Sequence, residues 1–330
     1  MKKQKWIRKG MAFVLSLAMV AGLVPDMSGG ANKVQAAPGL GTEPSVSAYA
    51  TKEQLMDDTF APKADGTAEN YGKLVFGKKS DGTTAQEWYI LGKDEGVSGD
   101  NTILFAANPI ATGQAFEDDD DSNKTEQKLW SDCNYNGTHI REVFPNHYGA
   151  SDLRVALKNM ADGSDTAYFT SAEQGLMNTT TVTTKDTYNK KTYTTTDKLY
   201  ALAGDGSGPE YTTIKAGTND STVLAMSSYW SNGSMFWLRS PRDMDAGCAL
   251  KAWPGRYVSD DFAHITRVVQ PASNLNLSSV LFASSAKAAS SETVSGTLTG
   301  GTAMTLRLNG TSKNIGTVTY NTTTGDIKSS

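Results

Sequence analysis

The sequence predicts an α+β fold with an antiparallel sheet, two short helices and long loops. Short apolar segments bounded by Gly- and Asp-rich turns are typical of strands, as at 87–91, 101–107 and 236–241. Helix-capping signals precede two further segments, 153–160 and 171–174. The remaining chain is rich in glycine, threonine and acidic residues, which favours loops.

The segment 236–241 is the strongest strand. Phe236 and Leu238 would face one side of a strand, and Trp237 and Arg239 the other. A strand that is bulky on both sides is covered on both sides, so we expect it in the core, ending at Pro241, which has no N–H for a sheet. The predicted structural core consists of Trp88, Leu153, Leu157, Phe236, Trp237, Leu238 and Pro271.

Local signals define the other elements. Segments 87–91 and 101–107 flank a turn-forming stretch and predict a hairpin. Thr51 and Gln54 form a capping-box pattern for a short helix that ends near residue 58. The threonine-rich segment 178–196 predicts a β-ribbon or a long excursion, because threonine forms strands well and fills cores poorly.

The N-terminus has the pattern of a secretory signal peptide, residues 1–37. A basic start precedes a short apolar run and a small-residue cleavage site, and the run is shorter than a membrane span requires. The expected organisation continues with a leader or linker, a main domain, a Ser/Ala-rich linker and a short β-hairpin region. Their bounds are 38–69, 70–282, 283–291 and 292–330. The hairpin region is a β appendage or the start of a truncated β module.

Net charge and cysteine content limit the classes of partner and the cellular compartment that we expect. Removal of the signal peptide leaves 25 basic and 34 acidic residues, a net charge of −9, which argues against nucleic acid and anionic membranes as partners. No transmembrane segment is expected after cleavage. Cys133 and Cys248 either form a disulfide or remain buried thiols. We expect a secreted or extracellular protein, from a Gram-positive bacterium.

No catalytic motif is present. The chain lacks a G-x-S-x-G elbow, a P-loop, a Rossmann glycine pattern and an H-E-x-x-H motif. The acidic run 117–121 does not fit an EF-hand, and we interpret it as a solvated loop. His139, His147 and His264 show no metal-ligand spacing. The sequence therefore predicts no catalytic residues, no metal site and no cofactor.

Aromatic residues in turns are the candidate ligand contacts. Trp253 lies in a turn and is the strongest candidate for an exposed aromatic, while buried packing is the alternative. The predicted ligand-binding residues, for a glycan or a surface protein, are Trp253, Arg256, Tyr257, Trp230 and Asn232.

Several segments in order resemble one family. They are WYIL (88–91), ILFAA (103–107), SDLR (151–154), LKN (157–159), YFTSAE (168–173), TDKLYAL (196–202), FWLRSP (236–241) and VVQPASNL (268–275). This pattern is similar to the DUF6273 domain of secreted proteins of gut Clostridia, a domain of unknown function. The resemblance implies a C-type-lectin-like fold, related to sulfatase-modifying factors, over residues 70–282. Gln270 and Ser273 depart from the family's usual Arg and Leu.

Three functions remain open at this point. The first is a non-enzymatic binding or structural module on the cell surface, with a shallow aromatic contact face and no polar pocket. The second is an extracellular hydrolase or oxidase, which would gather titratable groups in a pocket, for example His264 near Asp260 or Asp261. The third is a purely structural spacer. We favour the first.

Overall fold

A computed structural model gives the fold. The chain divides into two units, Met1–Gln35 and Ala36–Ser330, and all of the described residues belong to the second. The predicted signal peptide, the acids at 119–121, Cys133 and His139 lie outside the described residues. The structure describes residues 45–46, 49–61, 70–118, 128–130, 141–163, 167–187, 190–226, 233–284, 293–294, 303–308, 318–320 and 327–329.

The described residues are mostly β-sheet with few helices, consistent with the predicted α+β class. The strands before residue 150 are β1 (Ser45–Val46), β2 (Tyr49–Thr51), β3 (Asn70–Tyr71), β4 (Lys73–Lys78), β5 (Ala85–Ile90), β6 (Asn101–Ala106), β7 (Ala111–Ala115), β8 (Lys128–Trp130) and β9 (Arg141–Val143). Next come β10 (Met177–Asn178), β11 (Thr180–Lys185), β12 (Thr192–Asp197), β13 (Leu199–Tyr200), β14 (Thr213–Ala216), β15 (Thr222–Ala225) and β16 (Phe236–Pro241). The last are β17 (Cys248–Ala252), β18 (Val258–Phe262), β19 (Thr266–Val269), β20 (Ala272–Asn276), β21 (Val280–Ser284), β22 (Thr293–Val294), β23 (Thr305–Leu308), β24 (Val318–Tyr320) and β25 (Ile327–Ser329). The described helices are α1 (Lys52–Met56), α2 (Asp152–Asp162) and α3 (Ser171–Leu176).

The central sheet has six strands in the order β10-β20-β6-β5-β4, with β13 also paired to β20. Alternate side chains of β5 and β6 enter two different apolar clusters. Trp88 and Leu104 lie in the cluster that also holds the buried face of α2, while Tyr89 and Phe105 lie in the other. The sheet is therefore covered on both faces, as period-2 alternation requires of a strand that is apolar throughout.

A second sheet has the order β18-β17-β16-β19-β7. Its pairs are antiparallel except that β16 runs parallel to β19. Phe236 and Leu238 enter one apolar cluster and Trp237 the other, which confirms the alternation predicted for β16. All seven residues predicted for the core are buried.

The helices begin at the predicted caps. Ser151 caps α2, and its hydroxyl accepts a hydrogen bond from the Arg154 N–H at 3.2 Å. Capping boxes start α1 at Thr51 and α3 at Thr170, so the sequence signals are confirmed. Each capping side chain satisfies a backbone N–H that a helix start leaves without a partner.

Two hairpins stand beside the sheets. Strands β11 and β12 form the ribbon predicted for the threonine-rich segment, and β14 pairs with β15. Both contribute apolar side chains, Val182, Ile214 and Leu224, to the cluster that holds Phe236. The hairpins therefore pack against the sheets as separate two-stranded units.

Both ends of the described body differ from the sequence expectation. Within the predicted leader, Leu55 and Phe60 are buried in the core, and β2 pairs with β21. In the predicted β-hairpin region 292–330, β23 pairs with β21 of the main body, and β24 pairs with β25. Met304 and Leu306 are buried in the main core, so β23 packs as part of the body. Alternation identified the strand but could not identify its partner.

None of the described helices is long and apolar enough to cross a membrane.

Candidate functional site

A polar pocket opens at the C-terminal end of β16, with a volume of about 670 Å³. Four further segments surround that strand end: the β11–β12 hairpin, the loop after β13, the turn before β15 and the turn after β16. The lining residues are Thr183, Thr184, Lys185, Thr192, Ala203, Gly204, Asp205, Gly206, Ser207, Tyr211, Asn219, Asp220, Ser240, Pro241, Arg242, Asp243, Met244 and Leu250. The volume falls within the range of small-ligand sites.

The loop at 204–208 fits the pocket because of its glycines. A Cβ on Gly206 would lie 2.4 Å from the ring of Tyr211, so only glycine lets that ring pack against the loop. A Cβ on Gly204 would lie 2.9 Å from Leu238, which brings the loop close to β16. The loop is fixed further by the Ser240 hydroxyl, which accepts a hydrogen bond from the Gly204 N–H at 3.0 Å.

Every charged side chain that lines the described pocket belongs to an ion pair. The exposed pairs are Lys185 with Asp243, at 2.8 Å, and Lys215 with Asp205, at 2.7 Å. The other two pairs are Arg239 with Asp220 and Arg242 with Asp260. Each lining carboxylate is therefore held by a cation, and a carboxylate in one ion pair can still accept further hydrogen bonds.

Arg239 lies behind the lining residues and forms a buried polar floor that does not itself line the cavity. Its side chain is fully buried, and besides Asp220 it donates to the carbonyls of Ala201, at 2.9 Å, and Thr183, at 3.4 Å. Asp220 and its neighbour Asn219 both have left-handed backbone conformations, with φ of 57° and 55°. Such conformations in residues other than glycine cost free energy and concentrate at functional sites. Two of them lie side by side in the pocket wall.

Both acidic residues of the hydrolase hypothesis already have hydrogen-bonding partners, and His264 is not among them. Asp260 accepts hydrogen bonds from the Ser207 hydroxyl and from Arg242. Asp261 is paired with Lys251 and Arg267. His264 is exposed, stacks on Phe262 with ring centroids 5.8 Å apart, and does not line the pocket. The structure therefore does not place His264 among converging titratable groups.

The predicted aromatic turn forms a compact cluster. The Arg256 guanidinium lies 4.3 Å from the centre of the Trp253 ring, and Tyr257 meets Trp253 edge-on at 5.6 Å. Trp253 and Tyr257 are half-buried and Arg256 is exposed, so the cluster has both a packed and a free side. Trp230 and Asn232, the other two predicted contacts, lie outside the described residues.

Two further reactive side chains, Cys248 and His147, are buried. Burial and the neighbouring Asp245 raise the pKa of the Cys248 thiol to about 12, so it stays protonated at neutral pH. Burial lowers the pKa of His147 to about 3, and its ring stacks on Tyr193 at 4.1 Å. Among the described residues, no group of three or more His, Cys, Asp and Glu is arranged to hold a metal ion.

Sequence reasoning missed most of this pocket. The expected shallow aromatic face without a polar pocket is wrong, because a polar cavity is present. In sequence, Asp205 and Ser207 belong to a glycine-rich loop that follows a strand, and nothing there distinguishes the loop as a site. The one signal available was the density of glycines at 204–208, which is also typical of a close approach of backbone to a ring.

The pocket and the aromatic turn are thus the two candidate contact regions of the described fold. The resemblance to the DUF6273 family bears on both only through the expected lectin-like architecture. No protein-family model matches this chain, and no curated protein and no solved structure shows a significant similarity to it.

Proposed function

We propose that the chain is a secreted or cell-surface binding module without catalytic activity, and that the polar pocket is its contact site. The observation that carries this proposal is a large open cavity whose charged groups are already fixed by ion pairs. Fixed acceptors and donors are the property of a site that recognises a ligand, because little ordering of side chains is needed on binding.

The frame of the pocket supports the same function. Its lining side chains stand on two hairpins and at the end of β16, and the other half of β16 is buried in the core. Contact residues on short loops above a packed sheet can vary without loss of the core. Met244, 93% exposed at the rim, adds an apolar contact beside the polar lining.

The aromatic turn is proposed as a second contact region of the same module. Trp253 and Tyr257 offer large apolar surface with polar atoms at their edges, which suits sugars and protein surfaces alike. The Arg256 stack fixes the orientation of the Trp253 ring.

The family and the setting belong to the same proposal. The quoted motifs support a DUF6273-like domain with a C-type-lectin-like fold, and the signal-peptide pattern supports export from a Gram-positive cell. An exported module with a ligand site on its loops is consistent with both.

Binding to broad panels of glycans and surface proteins tests the proposal. We expect the purified chain to retain at least one ligand, and Asp205→Asn to weaken that binding. The matched control is Asp162→Asn, because Asp162 forms a comparable exposed pair with Lys198 outside the pocket. Absence of binding to either panel would instead favour the structural spacer. Release of products from a bound ligand would favour an enzyme.

A further inference from the structure

The charge arrangement of the pocket indicates its ligand class. Two cations and three carboxylates line the pocket, and each belongs to an ion pair. With the partners behind the lining, Lys215, Arg239 and Asp260, they make four pairs of one cation and one carboxylate. From this balance we infer that the pocket takes an uncharged, polyhydroxylated ligand, a neutral oligosaccharide being the class that fits. The inference rests on the binding function proposed above and names the ligand of the same site.

An ionic ligand finds no free counter-charge there. An anion would have to draw Arg242 or Lys185 away from its carboxylate, and a cation would have to displace Lys215 from Asp205. In either case one existing attraction is exchanged for another, so little net attraction is gained. An uncharged hydroxyl can bind without breaking any pair, because a carboxylate in a single ion pair still has free lone pairs.

The remaining polar groups suit hydroxyls. The Ser240 oxygen accepts from the Gly204 N–H, which leaves the Ser240 proton available to a ligand oxygen. Asn219 is exposed at the wall and offers both an amide donor and an acceptor. The lining thus offers both donors and acceptors beside its paired carboxylates, and a hydroxyl, which can donate and accept, can bind to either.

Tyr211 supplies an apolar surface within this polar lining. One side of its ring packs against Gly206, where any side chain would collide with it. The residue is half-exposed and lines the cavity, so another part of the ring is accessible to a ligand. A flat apolar face beside hydrogen-bonding groups fits a sugar ring, which has C–H faces and hydroxyl edges.

The backbone links Tyr211 to the aromatic turn. The Val258 N–H donates to the Tyr211 carbonyl at 2.7 Å, and the Gly208 N–H donates to the Val258 carbonyl at 3.0 Å. Tyr257 directly precedes Val258, and its carbonyl accepts a hydrogen bond from the Trp253 N–H at 3.1 Å. The aromatic turn is therefore joined through the backbone to the strand that holds Tyr211 in place, and a ligand made of several sugar units could extend toward it.

The test measures, by calorimetry on the full chain, the Kd of neutral, anionic and cationic oligosaccharides of increasing length. A peptide panel is measured in the same way for comparison. We expect neutral oligosaccharides to bind with a Kd that changes less than about twofold between 50 and 500 mM NaCl, since no net charge is neutralised. Tyr211→Ala should weaken binding about tenfold or more, while Tyr211→Phe, which keeps the ring, should bind nearly as the unaltered chain does. Trp253→Ala should weaken only the longer oligosaccharides.

Control variants and distinct outcomes separate a failure of the neutral-ligand inference from a failure of the proposed binding function. Asp162→Asn should bind normally, and Gly206→Ala, which displaces the Tyr211 ring without removing it, is a second variant should Tyr211→Ala unfold. Binding of charged oligosaccharides or peptides alone, weakened by Asp205→Asn, would overturn the neutral-ligand inference and leave the binding function standing. Neutral binding that is indifferent to Tyr211→Ala, Gly206→Ala and Asp205→Asn would overturn the pocket assignment. No binding by any class would overturn both.

Discussion

The two halves of strand β16 lie in different surroundings. The first half is packed on both faces: Phe236 lies 6.1 Å from the Phe105 ring, and Trp237 meets Phe116 edge-on at 5.7 Å. The second half turns polar, with Arg239 in a hydrogen-bonded floor and Ser240 in the pocket wall. The difference teaches that one strand can fix the fold at one end and a contact site at the other. Changes in the first half should therefore alter stability, and changes near the second half should alter binding.

The largest expected effect is in the packed half. Trp237→Ala should lower the free energy of unfolding by about 3–5 kcal/mol, because it removes a buried ring and leaves a cavity. Urea denaturation measures this. Trp253→Ala, in the half-buried turn, should cost less than about 1 kcal/mol. A Trp237→Ala variant with an unchanged unfolding midpoint would show that β16 is not a core strand.

The next effect separates two ion pairs of the pocket. Asp220→Asn leaves the fully buried Arg239 guanidinium without its counter-charge and should cost on the order of 3 kcal/mol of unfolding free energy. Asp205→Asn breaks a more exposed pair with Lys215 and should cost below about 1 kcal/mol. Parallel denaturation curves check both. Equal losses of unfolding free energy in the two variants would contradict the difference in burial between the Arg239–Asp220 pair and the Lys215–Asp205 pair.

A third effect concerns the hairpin whose outer part lines the pocket. His147 packs on Tyr193 of β12 and has a pKa lowered by burial from 6.5 to about 3, so it stays neutral in the folded chain. In the unfolded chain it takes up a proton below pH 6.5, and stability therefore falls as the pH falls toward 3. Between pH 6.5 and 4.5 the loss should be roughly 2–3 kcal/mol, or about 1.4 kcal/mol per pH unit.

The measurement is the unfolding free energy at several pH values, with His147→Phe as the control. Phenylalanine keeps a ring against Tyr193 and cannot be protonated, so its profile should be flat over this window. Most carboxylates titrate below pH 4.5, which isolates the histidine. A slope that persists in His147→Phe would assign the pH dependence to another group.

The packed half was predictable because its signals are local. Alternation within six residues assigned Phe236 and Trp237 to opposite faces, and capping patterns located the starts of the helices. These signals need no knowledge of distant contacts. The partner of strand β23 was not predictable in the same way, because alternation fixes the face of a strand but not its neighbour in the sheet.

The pocket could not be predicted because it is built from distant segments. Lys185, Asp205, Asp220 and Arg242 meet only after two hairpins pack beside β16. In sequence, each of these residues looks like a solvated charge in a turn. In sequence, Gly206 is one of several glycines in a loop, although its missing side chain is what admits the Tyr211 ring. The aromatic turn was identified because Trp253, Arg256 and Tyr257 are close in sequence, so the stack between them is local.

The smallest effect tests whether the pocket wall holds strain for binding. Asn219 has a φ of 55°, where glycine is not penalised, so Asn219→Gly should raise the unfolding free energy by about 0.5–1 kcal/mol. Lys190→Gly, at a φ of 60° outside the lining residues, should raise it by a similar amount. Asn219→Gly also removes the amide that is proposed to contact the ligand, so its binding is compared with that of Asn219→Ala, which removes the amide and keeps a strained side chain at this position. If the strain orients the wall, Asn219→Gly should bind the ligand more weakly than Asn219→Ala in calorimetry. A stabilised Asn219→Gly variant that binds as well as the unaltered chain would show that the left-handed turn shapes the loop without serving the site.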